Sequence, residues 1–568
     1  MASSASTTGS DAMRLMSWKR YLFLFHRWAG IGLCLLFALW FLSGMFMMYV
    51  DFPQLTAPER RAGQPLLDFS GARIAPGEAV GRLSAADFRV AGHPDENGPS
   101  TVPADSPLTV SQVSLGMLLG RPVYYVRVKG NAQTRAVFAD TGEVLREVTP
   151  AMARAVAADF AVRAGWIADQ SRVAFDSLLQ TDQWSVSSGL NAHRPLLRVS
   201  LGDAAGTDLY VSSTTGEVVR DTHRTERLLN YFAAVTHWIY PTVLRKHVDA
   251  WDWVVDIVSG AGVVLAVSGL WIGILRWRWR RPPGKRAIPY RGLMRWHFIT
   301  GAVFGTLALT WVFSGLLSMN PGSLNPPRSP SAAERLVFSG KPLTLGDFAL
   351  PSWAGSADVV EASLLHYDGQ AFYDVVRRDG VRALYPAGRD DIRSARYAAG
   401  LDDTRSTPSV AGRDDLRSAP SAGALLVRLP DAAAVLARVP ALIPSAALHD
   451  AAVLTDYDDY YYTRHEERAD RPLPVVRARF SDPSTTWFYV DPRSGEVLER
   501  STYFNRVYRW LYNGLHSWDF PWLWRHRPLW DVVVIAFSLG GLTLSLLGVV
   551  VGIRRLRYDL RRYASQVS

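Results

Sequence analysis

The chain has 568 residues, a mean hydropathy near zero and a formal charge of +10. Its one cysteine, Cys34, excludes intramolecular disulfides, Cys-rich zinc sites and Cys-ligated iron–sulfur clusters, so a bound metal must rely on His, carboxylate or backbone ligands. The positive charge does not point to nucleic acid, because the arginines follow apolar stretches instead of forming a basic domain.

Residues 1–17 are small and polar and are expected to form a disordered cytoplasmic tail. Residues 18–50 are apolar after Lys19 and Arg20 and exceed the roughly 20 residues a bilayer crossing needs. Residues 251–276, 295–319 and 530–554 read as three further transmembrane helices. Arg276, Arg278, Arg280, Arg281, Lys285 and Arg286 fall in or beside the 277–294 loop. Arg554, Arg555, Arg557, Arg561 and Arg562 lead into the 555–568 tail. By the positive-inside rule that loop and both termini are cytoplasmic. Residues 51–250 and 320–529 then form two periplasmic domains of a bacterial inner-membrane protein.

Those two segments alternate apolar and polar residues and end in Thr-Gly-Glu or Ser-Gly-Glu turns. This predicts antiparallel hairpins at 123–145, 196–219 and 475–498, with a strand at 371–376. Residues 150–164 and 430–441 are expected to be helices packed on the sheets. Residues 389–422 read as a flexible insertion. The acid- and tyrosine-rich run 455–467, with His465, reads as an exposed edge strand.

The halves repeat. His26, Gly30, Trp40, Ser43 and Gly44 recur 271 positions later as His297, Gly301, Trp311, Ser314 and Gly315. His237, His247, Trp251, Asp252, Gly262, Gly269 and Gly273 recur 279 positions later as His516, His526, Trp530, Asp531, Gly541, Gly548 and Gly552. Tyr210, Gly216 and Glu217 match Tyr489, Gly495 and Glu496 at that second offset. The expected fold is therefore a four-helix membrane protein of tandem duplicated halves with two periplasmic α+β domains.

Histidine is costly inside a membrane, so its recurrence there marks function. Symmetry proposes that His26 and His297 ligate one haem near the cytoplasm and His237 and His516 a second near the periplasm, with His247 and His526 as rival ligands. Gly30 and Gly301 share a helix face with their histidines, and Gly44 and Gly315 return to that face near the opposite surface. All four leave room for a flat macrocycle. The bland alternatives are hydrogen bonds between helices for His26 and His297, and an interfacial place beside Trp238 and Trp518 for His237 and His516. Asp252 and Asp531 are expected to be helix N-caps. No CxxCH, dinucleotide fingerprint, Walker loop, GxSxG or HExxH occurs, which leaves no covalent haem, nucleotide motor or visible hydrolytic machinery.

HRWAGIG and WHFITG in the first and third spans, LYVSSTTGEVV and FYVDPRSGEVL before the second and fourth, and THW and LHSW beside them resemble the PepSY-associated transmembrane family. The resemblance covers about 18–560. It implies PepSY-like periplasmic domains, and for some members ferric-siderophore reduction by b-type haem held on membrane histidines. It thus implies two haem b groups on His26, His297, His237 and His516. Its implied partners are membrane lipid, a cytoplasmic or quinol electron donor and a periplasmic ferric-siderophore or metal complex. Two other classes stay open: a PepSY-type binding or regulatory protein without redox activity, and a metal or chelate transport component.

Overall fold

A computed structural model describes residues 7–88, 108–129, 131, 133–280, 287–350, 358–387, 432–463 and 471–567. The expected insertion at 389–422, His465, and Arg281, Lys285 and Arg286 lie outside the described residues.

Four helices are long and apolar enough to cross a membrane. They are α1 (Thr7–Met47), α2 (Val248–Arg276), α3 (Gly292–Leu317) and α4 (Leu529–Val567). Two of them outrun their expected spans. α1 is already helical from Thr7, inside the expected tail, and α4 carries the basic C-terminal residues on to Val567. They belong to one compact unit with the short segments beside them, Met1–Phe52, Glu226–Pro326 and Phe504–Ser568. α1 packs on α2 and α4, and α3 packs on both as well. Phe37, Phe41, Leu265, Ala308 and Val312 form the centre of the bundle. Glycines let the helices close on those rings. A Cβ on Gly262 would stand 2.8 Å from Phe37, and one on Gly541 would overlap the Phe41 ring.

The second unit comprises Pro53–Thr225 and Pro327–Tyr503. Its six-stranded sheet runs β10-β9-β8-β1-β2-β3. One antiparallel meander, β1 (Val110–Leu118), β2 (Arg121–Val128) and β3 (Thr134–Phe138), comes from the first extramembrane segment. The other, β8 (Val359–Tyr367), β9 (Gln370–Arg377) and β10 (Arg382–Pro386), comes from the second. They meet where Ser114 and Leu115 of β1 pair with Ser363 and Ala362 of β8. The two segments therefore share one sheet, a link that residue patterning within either segment does not reveal.

Two four-stranded sheets complete the unit, ordered β4-β5-β6-β7 and β11-β12-β13-β14. The first comprises β4 (Ala174–Leu179), β5 (Leu196–Ser200), β6 (Asp208–Ser212) and β7 (Val218–Thr222). The second comprises β11 (Leu448–Leu454), β12 (Val475–Phe480), β13 (Trp487–Val490) and β14 (Val497–Ser501). The expected helices form at Pro150–Arg163 and Ala432–Arg438. Alternation sends Tyr124 and Val126 of β2 into one core and Val123 and Tyr125 into the other.

The acid–tyrosine run is no edge strand among its described residues. It is a loop in which Tyr461 is buried and stacks on Tyr489 at 4.9 Å. Asp458 accepts hydrogen bonds from the Tyr489 hydroxyl and from Arg477 there. Tyr457 and Tyr461 pack inward because their hydroxyls find partners, Tyr457 on Arg471 O and Tyr461 on Pro472 O.

Candidate functional site

His237 ends the short helix Ala234–His237, and His516 lies in Leu515–Ser517. Each is followed two residues later by a non-glycine residue in the left-handed region, Ile239 and Trp518, both at φ 52°. Such backbone costs about 1 kcal/mol or more for a bulky residue and needs outside support. Trp251 Nε1 supplies it by donating to the Trp238 and Ile239 carbonyls, and Trp530 Nε1 by donating to Ser517 O at 3.0 Å. A π-helical turn, Trp510–Gly514, leads into His516. Wide turns of this kind recur at functional sites.

The two rings lie edge to face, with centroids 5.9 Å apart and planes at 71°. Each rests on a glycine of a long helix. A Cβ on Gly44 would come 3.3 Å from His237 Cε1, and one on Gly315 would come 3.6 Å from His516 Cε1. Two imidazoles on opposite sides of one metal, each at about 2 Å, stand about 6 Å apart centre to centre. The observed separation fits that requirement.

The hydrogen bonds fix which nitrogen is available. His237 Nδ1 contacts Trp40 O at 3.2 Å, and a carbonyl only accepts, so Nδ1 carries the proton. Ser43 Oγ, 3.1 Å from the same nitrogen, spends its own proton on Trp40 O. His516 Nδ1 lies 3.1 Å from Ser314 Oγ, whose proton goes to Trp311 O. Ser314 therefore accepts from His516. In a neutral ring this leaves the lone pair on Nε2, the arrangement of a metal-ligating histidine held by its other nitrogen.

His26 of α1 follows the same rule. Its Nδ1 meets Leu265 O at 3.3 Å and Ser268 Oγ at 3.1 Å, and Ser268 donates to Leu265 O. His297 lies within electrostatic reach of His26, with the Leu544 carbonyl alongside. Its buried Nδ1 makes no hydrogen bond. The seats of these two rings are Gly269 and Gly548, where a Cβ would stand 2.7 Å from His26 Cε1 and 3.7 Å from His297 Cε1.

The expected glycine roles therefore change. Gly30 and Gly301 have only ordinary neighbours, Cys34 and Leu265 for the first and Leu544 for the second, while Gly44 and Gly315 bear imidazoles directly. Gly269, Gly548, Ser43, Ser268 and Ser314 were missed as site residues. All but Ser268 stand in the repeat pattern, which is the signal that finds them. His247 and His526 are exposed and join neither pair, and His526 Nδ1 contacts Trp522 O at 2.7 Å. Asp252 and Asp531 are not N-caps, because α2 begins at Val248 and α4 at Leu529. Asp531 instead accepts from the Tyr49 hydroxyl and from Arg527.

Among the described residues no three His, Cys, Asp or Glu gather to hold a bare ion. Paired imidazoles suit instead a metal whose other ligands come with it, as in a porphyrin.

These features define a membrane protein whose apolar helices and adjoining short helices carry paired histidines and whose connecting segments build β-sheets. The chain belongs to the PepSY-associated TM region family, whose pattern matches residues 23–358. A comparison with curated proteins finds no match.

Proposed function

We propose that this protein is a bacterial inner-membrane di-haem b electron carrier that reduces a periplasmic ferric complex of the siderophore type. His237 and His516 hold one haem, His26 and His297 the other. Iron porphyrin supplies reversible one-electron chemistry when bound. The chain's own residues orient it. Ser43, Ser268 and Ser314 fix the ring tautomers, the four seating glycines set ring height, and the apolar helices exclude water. The observation that carries this reading is the set of Nδ1 contacts that His26, His237 and His516 make to Leu265 O, Trp40 O and Ser314 Oγ, which in a neutral ring leave Nε2 as the basic nitrogen.

The arginines after α2 and in the C-terminal part of α4 support cytoplasmic termini and a periplasmic sheet unit. The recurrence of Ser–His, Gly–His and Trp–carbonyl contacts at fixed sequence offsets supports two copies of one unit. The electron donor on this reading is a cytoplasmic protein or a quinol.

The test is a reduced-minus-oxidised spectrum of the purified protein with haem quantified against polypeptide. Wild type should carry two b-type haems and reoxidise when a ferric siderophore is added. His237→Ala and His516→Ala should each lose the same single haem. A colourless wild-type protein sinks the proposal.

A further inference from the structure

The sheet unit contains a cavity of about 360 Å³, within the range of small-ligand sites. Its walls are β1, β2 and β3, the Gly189–His193 turn, and the start of β7. Glu217 lines both this cavity and a smaller adjoining recess. Its backbone N–H donates to Thr215 Oγ1 at 3.4 Å, which brings the Thr215 hydroxyl beside its carboxylate. No ion pair of Glu217 occurs among the described residues, and Arg60 of the same cavity is already paired with Glu361 at 2.5 Å. A half-buried carboxylate that feels Arg60 and Arg127 only at a distance, with no ion pair of its own, is costly and calls for a reason.

The other meander supplies the comparison. Strand register makes Thr134 and Arg382 positional equivalents, since they pair with Arg127 and Val376. Tyr125 and Asp374 are equivalents too, since they pair with Ser114 and Ser363. The turn glutamates Glu217 and Glu496 sit at matching positions of their own sheets. Around Glu496, Arg382 stands 3.8 Å away and is anchored on Asp374 at 2.5 Å. Around Glu217 the guanidinium is replaced by Thr134, its anchor by Tyr125, and the space by the cavity. Where one glutamate has a built-in cation, the other has room for one. Arg127 does not fill that role: it is exposed at the rim, where water screens it.

We propose that the Glu217 cavity binds the cationic end of a small alkylammonium or alkylguanidinium ligand. The carboxylate pairs with the cation, the Thr134 and Ser114 hydroxyls accept its remaining protons, and Leu55, Leu190 and Val218 cover the alkyl part. This site does not depend on the haem reading.

Burial pushes the Glu217 carboxyl up to about 7. The other charged groups facing the cavity are Arg60, which pairs with Glu361, and Arg127 at the rim. Burial lowers His193 to about 4, and burial with Glu217 raises Tyr125 well above its ordinary value, so neither titrates between pH 6 and 8. Binding should therefore strengthen as pH rises from about 6 to 8 and Glu217 ionises.

The experiment is saturation-transfer difference NMR on the full-length protein in nanodiscs, titrated with n-butylammonium and, separately, butyrate. Butylammonium should bind, butyrate should not, and Glu217→Gln should weaken binding about tenfold or more. Thr134→Arg should abolish it by supplying the cation that Arg382 supplies opposite Glu496. That variant keeps Glu217, so it decides the matter even if Glu217→Gln misfolds. Absence of a butylammonium signal in wild type, a signal that survives Thr134→Arg, or binding of butyrate in its place overturns the assignment.

Discussion

A histidine against an apolar helix has two nitrogens to satisfy, and the hydroxyls of Ser43, Ser268 and Ser314 take one at each of three rings. The sequence offered hydrogen bonding between helices as a rival to metal binding. The two are compatible, because Nδ1 does the first and leaves Nε2 for the second. On the haem reading, Ser314→Ala should weaken haem retention about tenfold or more, while Ser314→Thr keeps the hydroxyl and most of the affinity. Haem content after dialysis and the midpoint potential of the remaining haem are the readouts. Equal loss in both variants would show that the hydroxyl is irrelevant. Histidine and glycine positions were legible in the sequence because such residues are conspicuous in apolar runs. Ring seating was not: the face calculation that chose Gly30 uses one helix, whereas Gly269 seats His26 from another.

At the scale of elements, local pattern carried most of the information. β5 to β7 and β12 to β14 follow from alternation with turn glycines, and Gly216 and Gly495 take φ of 74° and 69° there. The run 455–463 misled because acids and tyrosines resemble an exposed strand until Asp458 is seen as the acceptor they enclose. Helix crossings obey a stricter rule than composition. Gly541→Ala should lower the stability of the helical unit by roughly 1–3 kcal/mol, since its methyl must displace the Phe41 ring. Gly260→Ala, with open space around it, should be neutral or slightly stabilising. Thermal unfolding of both variants in one detergent checks the contrast, and equal melting would refute the packing account.

For the whole molecule, the sequence read four helices and two sheet-bearing segments, and a feature beyond its reach was the seam between β1 and β8. Strand order depends on which edges meet, and hydrophobic alternation does not encode it. The proposed topology is testable because Cys34 is the chain's only cysteine. In a Cys34→Ser background, Ser213→Cys or the exposed Ser481→Cys should react with a membrane-impermeant maleimide on intact spheroplasts. Ser565→Cys should react only after lysis. The reverse pattern would invert the orientation.

The seam also dictates an order of events during synthesis. β1 emerges with its outer edge unsatisfied, and β8 follows only after α2 and α3 have been made. That is roughly 250 residues later, on the order of tens of seconds of translation. Throughout that interval a half-finished sheet offers bare amides and carbonyls to any passing strand. A cell making this chain must either insert the two intervening helices promptly or shield the open edge, and nascent chains stalled before Val359 are where aggregation should begin.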